Sequence, residues 1–294
     1  MAIKGLNPDW IHQEKGKNPV TKTDWIPRKT LDIPYGQQDG LQKVDIYLPS
    51  REAASYPVIV NVHGGGFTHC DKRDFHLYPT LYALERGYAV AAVNYRLSPG
   101  VRYPQHIQDV LLALEWIGRE GPRHHLDPQN VFLWGTSAGG NIVLQIACKN
   151  GLLPRQDACN LRGVAALCPA LDMVQLGGGS LMGFLVGLAL KRPMLRHVLG
   201  SAKPSRDLLD QADVHRFLDG GIAPVYLQHG TKDPAIPYGA VEKFARKLQQ
   251  ILPERDFVFD TLSGAGHAGG GPDFFLRENV EPILDFFTAH CKEE

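Results

Sequence analysis

The sequence predicts an α/β fold: a mostly parallel central sheet with helices on both faces and a small helical cap. Three observations predict it. From Val58 onward, β-branched apolar runs alternate with stretches of helical periodicity, the pattern of a parallel sheet covered by helices. Gly135-Thr136-Ser137-Ala138-Gly139 lies between a strand-like run, Asn130 to Trp134, and a helix-like run, Asn141 to Lys149. His63-Gly64-Gly65-Gly66-Phe67 follows directly on the buried-strand pattern Val58 to Val62.

The elements follow in chain order. Arg28 to Pro34 and Gln42 to Leu48 alternate in polarity and predict an antiparallel hairpin, turning at Gly36 to Gly40. Val58 to Val62 and Tyr88 to Asn94 read as strands. Gln105 to Arg119 reads as a helix, with Ile107, Val110, Leu111, Leu114 and Trp116 at helical spacing. Asn130 to Trp134, Arg162 to Pro169, Ala223 to Gln228 and Phe257 to Phe259 read as further strands. Tyr238 to Leu252 and Phe274 to His290 read as the last two helices. We read residues 1–294 as one domain, with a cap inserted at about 173–221.

Composition bounds the function. Lys+Arg and Asp+Glu both total 31, so no net charge draws the chain to nucleic acid or anionic lipid. The most apolar run, Leu181 to Leu190, is closed by Lys191-Arg192-Pro193. A membrane-spanning helix needs about 20 apolar residues, so membrane insertion is not expected. Met1 to Lys17 is polar and lacks the apolar stretch of a secretion signal. The five cysteines are odd in number and form no C-x-x-C pair, which points to reduced thiols and a cytoplasmic setting.

The glycine motifs carry the chemistry. A serine between a strand and a helix, flanked by Gly135, Ala138, Gly139 and Gly140, fits the sharp turn that lifts a nucleophile out of a sheet. Acyl transfer places negative charge on a carbonyl oxygen, and backbone N–H groups aimed at that oxygen stabilise it. Gly65, Gly66 and Ala138 are the expected donors of this oxyanion hole. Asp233, in His229-Gly230-Thr231-Lys232-Asp233, follows a strand as an orienting acid would. His267, within Gly264-Ala265-Gly266-His267-Ala268-Gly269, is placed to act as base towards Ser137. Asp172, Asp213 and Asp219 are rival acids, but none has both the strand-end position and the H-G-x-x-D pattern. His63 reads as a prop of the glycine loop. His63, His69 and His76, with Asp71 and Asp74, show no metal-ligand spacing such as H-E-x-x-H; neither metal nor cofactor is expected.

These motifs resemble α/β-hydrolase esterases, close to the hormone-sensitive-lipase-like carboxylesterases and the BD-FAE group. Tyr95-Arg96-Leu97-Ser98-Pro99, Tyr103-Pro104-Gln105 with Asp109, and Leu126-Asp127-Pro128-Gln129-Asn130-Val131 add to the resemblance. It covers most of the chain, and the order Ser137, Asp233, His267 is the one this fold uses. The resemblance implies the α/β-hydrolase fold and a serine carboxylesterase of short- to medium-chain, acetyl or small aromatic esters. The expected partner is a small-molecule ester. A homodimer through helices beside the last strand is open. Phe67, His69, Met182, Phe184, Leu185 and Leu188 are candidates for the substrate pocket; the four on the cap could equally pack it onto the core, and His69 could be a surface residue. An amide hydrolase on the same fold, and a ligand-binding protein without catalysis, are the alternatives.

Overall fold

The structure, a computed structural model, describes residues 11–12, 19–148, 159–172, 181–218, 221–268 and 273–292. A short antiparallel pair, β1 (Ile11–His12) and β2 (Val20–Thr21), precedes the main sheet. The sheet then takes β3 (Lys29–Pro34), β4 (Lys43–Tyr47), β5 (Tyr56–Val62), β6 (Ala89–Val93), β7 (Leu126–Thr136), β8 (Leu161–Leu167), β9 (Val225–Gly230) and β10 (Phe257–Leu262). Its spatial order is β10-β9-β8-β7-β5-β6-β4-β3. The hairpin strands β3 and β4 are antiparallel, and the pairs from β6 to β10 are parallel.

This order has a physical consequence. After β5 the chain steps to β6 on one side, and then returns to lay β7 on the other. Such a reversal opens a crevice beyond the carboxyl ends of the strands, where open α/β sheets bind ligands. Val62 pairs with Gly135. The loop after β5 and the turn after β7 therefore emerge side by side at that crevice.

Among the described residues six α-helices follow in order: α1 (Gln105–Glu120), α2 (Ala138–Ala147), α3 (Leu181–Val198), α4 (Arg206–Ala212), α5 (Tyr238–Ile251) and α6 (Arg277–His290). Buried residues of α1, α2 and α5, among them Ile107, Val110, Ile142 and Phe244, form one core against the sheet. On the opposite face Ile283, Leu284 and Phe287 of α6 pack with Ile59, Phe132 and Trp134. Both sheet faces are covered, which is why the central strands are apolar throughout rather than alternating.

The strands and helices stand where the periodicity places them, with end shifts that have local causes. β7 begins at Leu126, earlier than its apolar run, through pairing of Tyr56 with Leu126 ahead of a register shift between Pro57 and Val58. α2 begins at Ala138, directly after Ser137. Phe75–Arg86 forms 3₁₀ turns. Periodicity did not reveal it, because Pro79 interrupts the pattern. Its start is set by Asp74, whose side chain accepts from His76 N, and its end by Gly87 at φ 82°.

The segment expected to form a cap differs from that expectation in one described respect. α3 does not stop with the apolar run at Leu190 but continues through Pro193 to Val198. Proline lacks the N–H that would continue the ladder. Packing sustains the last turns instead, since Leu195 and Val198 are buried. Tyr103 N donates to Val198 O at 2.9 Å and Tyr103 Oη to Gln211 O, tying the cap to the loop before α1. No described helix is long and apolar enough to cross a membrane.

Candidate active site

Ser137 sits between β7 and α2 at φ 56° and ψ −112°, a conformation that L-residues rarely adopt. The neighbourhood over-determines it. Ser137 N donates to Leu167 O at 2.8 Å, while Asn141 N and Ala170 N donate to Ser137 O at 3.0 and 3.3 Å. Gly139 is required for a separate reason: a Cβ there would stand 2.1 Å from Val62 O. Only glycine lets α2 approach β5 this closely. The strain at Ser137 is thus held by the sheet on both sides, and its hydroxyl faces the crevice.

His267 reaches Ser137 from the loop after β10. Its Nε2 lies 2.9 Å from Ser137 Oγ, and its Nδ1 lies 2.7 Å from Asp233 Oδ2. A carboxylate can only accept, so Nδ1 carries a proton and Nε2 of the neutral ring accepts from the serine hydroxyl. Asp233 Oδ1 accepts from Ala235 N at 2.8 Å and Ile236 N at 2.9 Å. The two loops are joined by backbone: Thr231 N donates to Leu262 O and Lys232 N to Ala265 O, at 3.1 and 2.9 Å. The acid and the histidine are thereby positioned as one unit.

Burial opposes the charged form of both partners. For Asp233, the His267 ring and the Ile236 N–H outweigh burial and hold the carboxyl below its usual range. For His267, Cys168 and Asp233 outweigh burial and hold the ring well above its usual range. The Asp233 side chain is fully buried, whereas that of His267 is 22% exposed. The ring is thus the one member of the pair open to the crevice.

The loop after β5 completes the site. Gly65 and Gly66 take φ of 95° and 59°. A Cβ on Gly65 would stand 2.2 Å from His69 O. Thr68 N and His69 N both donate back to Gly65 O, at 3.1 and 3.2 Å, which curls the loop. Ala138 is the first residue of α2, where N–H groups lack intrahelical partners and the helix dipole favours negative charge. His63 is buried and stacks on Tyr95 with ring centres 4.4 Å apart. Tyr95 Oη donates to His63 O at 3.0 Å, and His63 Nδ1 to Gly64 O at 2.9 Å. His63 and Tyr95 therefore brace the loop from below. Desolvation keeps His63 below the usual imidazole range, so it braces as a neutral ring.

The next segment is braced from α1. Asp109 is almost fully buried and accepts from Arg96 N, Arg96 Nε and Arg96 Nη2 at 2.8 to 3.1 Å. Gln42 Nε2 adds a bond of 2.8 Å. Asp109 thus joins the opening hairpin, the loop after β6 and α1 in one contact.

The pocket candidates are scattered. Phe67 is buried and packs against His106 at 5.1 Å, beneath the glycine loop. His69 is exposed, with Nδ1 2.9 Å from Thr68 Oγ1. Leu185 on α3 is 51% exposed. Met182, Phe184 and Leu188 also lie on α3, but their side chains fall outside the described residues. Sequence reasoning missed Met194, whose Cε would stand 3.5 Å from a Cβ on Gly66. The segment Pro193-Met194-Leu195 was visible in the sequence as part of the cap, but nothing local shows which cap residue folds over Gly66. Of the rival acids, Asp213 is engaged with His215 at 2.7 Å, Asp172 lies beside that pair, and Asp219 lies outside the described residues.

An eight-stranded, mostly parallel sheet flanked by helices, with these side chains at its switch point, is an α/β-hydrolase fold. The chain belongs to the BD-FAE family, whose match covers residues 44–248. Among solved structures it is similar to a carbohydrate esterase from gut microbiota, at TM-score 0.77 and 18% identity, covering 92% of this chain and 99% of that one. It is also similar to esterase B from Lactobacillus rhamnosis, at TM-score 0.73 and 24% identity, covering 89% and 84%. At these identities the likeness is one of fold. Among curated proteins it is 27% identical to esterase LipQ of Mycobacterium tuberculosis, over 79% of this chain and 58% of that protein. It is 36% identical to the versiconal hemiacetal acetate esterase of Dothistroma septosporum, over 48% of this chain and 43% of that protein. The chain thus spans about half the length of the curated relatives it matches.

Proposed function

We propose that this chain is a serine carboxylic ester hydrolase that acts on short- to medium-chain, acetyl or small aromatic esters. One observation carries the reading: the continuous relay Ser137 Oγ, His267 Nε2, His267 Nδ1, Asp233 Oδ2, with contacts of 2.9 and 2.7 Å, beneath a glycine-rich loop. His267 takes the Ser137 proton as Oγ attacks the ester carbonyl. Asp233 holds the ring in the required tautomer and stabilises its cation. Gly65, Gly66 and Ala138 donate N–H groups to the oxyanion. The protonated His267 gives its proton to the departing alcohol. It then activates a water that hydrolyses the acyl-enzyme.

Several points support the substrate class. Met194 Cε lies within 3.5 Å of where a Cβ on Gly66 would stand, which places an apolar side chain beside the proposed oxyanion loop. The net charge is zero, which suits an uncharged ester and not nucleic acid. The relatives named above are esterases, one of them of an acetate. None of the five cysteines is in a disulfide, in keeping with a cytoplasmic setting. A homodimer belongs to this reading through the β10 edge, beside which α5 packs.

The test is a p-nitrophenyl ester series from acetate to palmitate, run beside the matching anilide and formamide. An optimum at short chains, with anilide turnover far below ester turnover, is the expected result. Preferential cleavage of the anilide or formamide would replace the esterase by an amide hydrolase.

The His267–Asp233 pair also sets a pH dependence. The ring must be neutral to act as base, and its affinity for a proton is raised. The acid limb of kcat/KM therefore falls above the ordinary imidazole value of about 6.5. Stability runs the other way. The stability from the raised His267 is complete below its unfolded pKa and is lost as pH rises through the folded value. That from the lowered Asp233 is present above its unfolded pKa and is lost as pH falls through the folded one. Activity should thus climb over the pH range in which the contribution of His267 to stability fades. A pH–rate profile beside a Tm–pH profile checks this, and an acid limb below 6 would contradict it.

A further inference from the structure

We propose that Cys168, His267 and Asp233 form an inhibitory site for a thiophilic divalent cation, for which Zn²⁺ is the fitting ion. The site rests on the reading of His267 as the catalytic base, and it assigns a role to a cysteine that ester hydrolysis does not use. Cys168 Sγ, a ring nitrogen of His267 and a carboxylate oxygen of Asp233 all lie within 4.8 Å of one another. Tetrahedral zinc with thiolate, imidazole and carboxylate ligands has donor separations of about 3.3–3.6 Å. Small shifts of side chains therefore bring these three atoms into coordination. A fourth position remains for water from the crevice, which the exposed part of the His267 ring borders.

The backbone holds the thiol in this place. Cys168 follows β8 at φ 38°, in the left-handed region that disfavours a residue with a Cβ. It is fixed there by its N–H donating to Gln228 O at 2.8 Å, and is fully buried. Pro169 follows and is packed on α2, since a Cβ on Gly140 would stand 2.9 Å from Pro169 Cβ. The chain thus keeps a strained bend whose result is a sulfur beside the acid and the histidine.

The donor set selects the ion. Thiolate and imidazole favour Zn²⁺ and its heavier congener Cd²⁺ over Mg²⁺ or Ca²⁺. Binding removes the thiol proton. It also takes the Nδ1 position, so the ring's remaining proton moves to Nε2. That nitrogen can then no longer accept from Ser137, and inhibition is complete rather than partial.

Two other described groupings exist, Cys70 with Asp74 and His76, and Asp172 with Asp213 and His215, which lacks a thiol; in each a carboxylate already caps a turn. Asp74 holds His76 Nδ1 with both oxygens at 2.9 Å and also caps His76 N, starting the 3₁₀ segment. Asp213 holds His215 through both its backbone and its ring. Metal there would break a local turn, whereas at Cys168 it displaces only the proton between two side chains.

The experiment titrates Zn²⁺ against p-nitrophenyl butyrate hydrolysis by wild type, Cys168→Ser, Cys168→Ala and Cys70→Ser. Wild type and Cys70→Ser should be inhibited alike, with EDTA restoring activity. Both Cys168 variants should need at least tenfold more Zn²⁺. In parallel, Cd²⁺ is titrated by its ultraviolet thiolate charge-transfer band, which needs no turnover and is expected in wild type and Cys70→Ser but not in Cys168→Ala. Fluorophosphonate labelling of Ser137 separately reports the esterase reading. Equal Zn²⁺ sensitivity in the Cys168 variants, an unaffected wild type, or a cadmium band that survives Cys168→Ala would each overturn the site.

Discussion

Ser137→Ala should lower kcat on butyrate esters by about 10⁶, with the protein still folded. In the proposed mechanism the serine hydroxyl is the attacking atom, and nothing else in the relay can replace it. The Cys168 thiol beside His267 is fully buried. Folding should be nearly untouched. The constraint at φ 56° comes from backbone bonds of Ser137, made by its N–H and its carbonyl, and alanine keeps both. A preserved Tm with lost turnover, and lost fluorophosphonate labelling, is the expected combination. Turnover within tenfold of wild type in the purified variant would end the esterase proposal. Residual activity of about 10³ over water would agree with an oxyanion hole still working alone.

Asp233→Asn should cost about 10⁴ in kcat, the loss seen when a triad acid becomes an amide. The variant keeps shape and volume. Its Oδ1 can still accept from Ala235 N and Ile236 N, now at 2.8 and 2.9 Å, so the loop should stay in place. What changes is the partner of His267. The amide NH₂ presents a donor where Oδ2 accepted from Nδ1, and the ring turns to the other tautomer, with its proton on Nε2 facing Ser137. The ring's raised proton affinity should fall as well, because the buried charge is gone. The acid limb of kcat/KM should therefore move to lower pH even as its plateau drops. A loss of less than tenfold, with an unmoved limb, would show that Asp233 does not orient His267. His229, with Nε2 3.7 Å from Asp233 Oδ2, should not substitute, because its ring is buried and already donates to Ile236 O at 3.1 Å.

The parts of the site that were legible in the sequence share one property: each is a backbone demand met within a few residues. The turn at Ser137 needs small neighbours, and Gly135, Ala138 and Gly139 announce it. The loop after β5 needs positive φ, and Gly65 and Gly66 supply it. Strand periodicity located β5, β7, β9 and β10, and so the order in which serine, acid and histidine arrive. The Arg96–Asp109 contact was visible only as a motif; that it also gathers Gln42 from the hairpin became evident with the fold. The 3₁₀ segment Phe75–Arg86 escaped because Pro79 breaks the period on which such reading depends.

Through-space relations were not legible. Met194 and Gly66 are far apart in the chain, and only the path of α3 through Pro193 brings them together. Cys168 reads as an ordinary buried cysteine at a strand end. Its nearness to His267 and Asp233 requires β8 beside β9, and both loops folded over them. By itself the sequence determined the sheet, its helices, the strained serine turn and the glycine loop, since these follow from local sterics and hydrophobic period. The tertiary structure alone decided which side chain lies against the glycine loop, which thiol stands beside the histidine, and how that thiol and the buried carboxylate together outweigh desolvation at the ring. Those depend on distances between segments remote in sequence, which side-chain packing sets and local propensity does not encode.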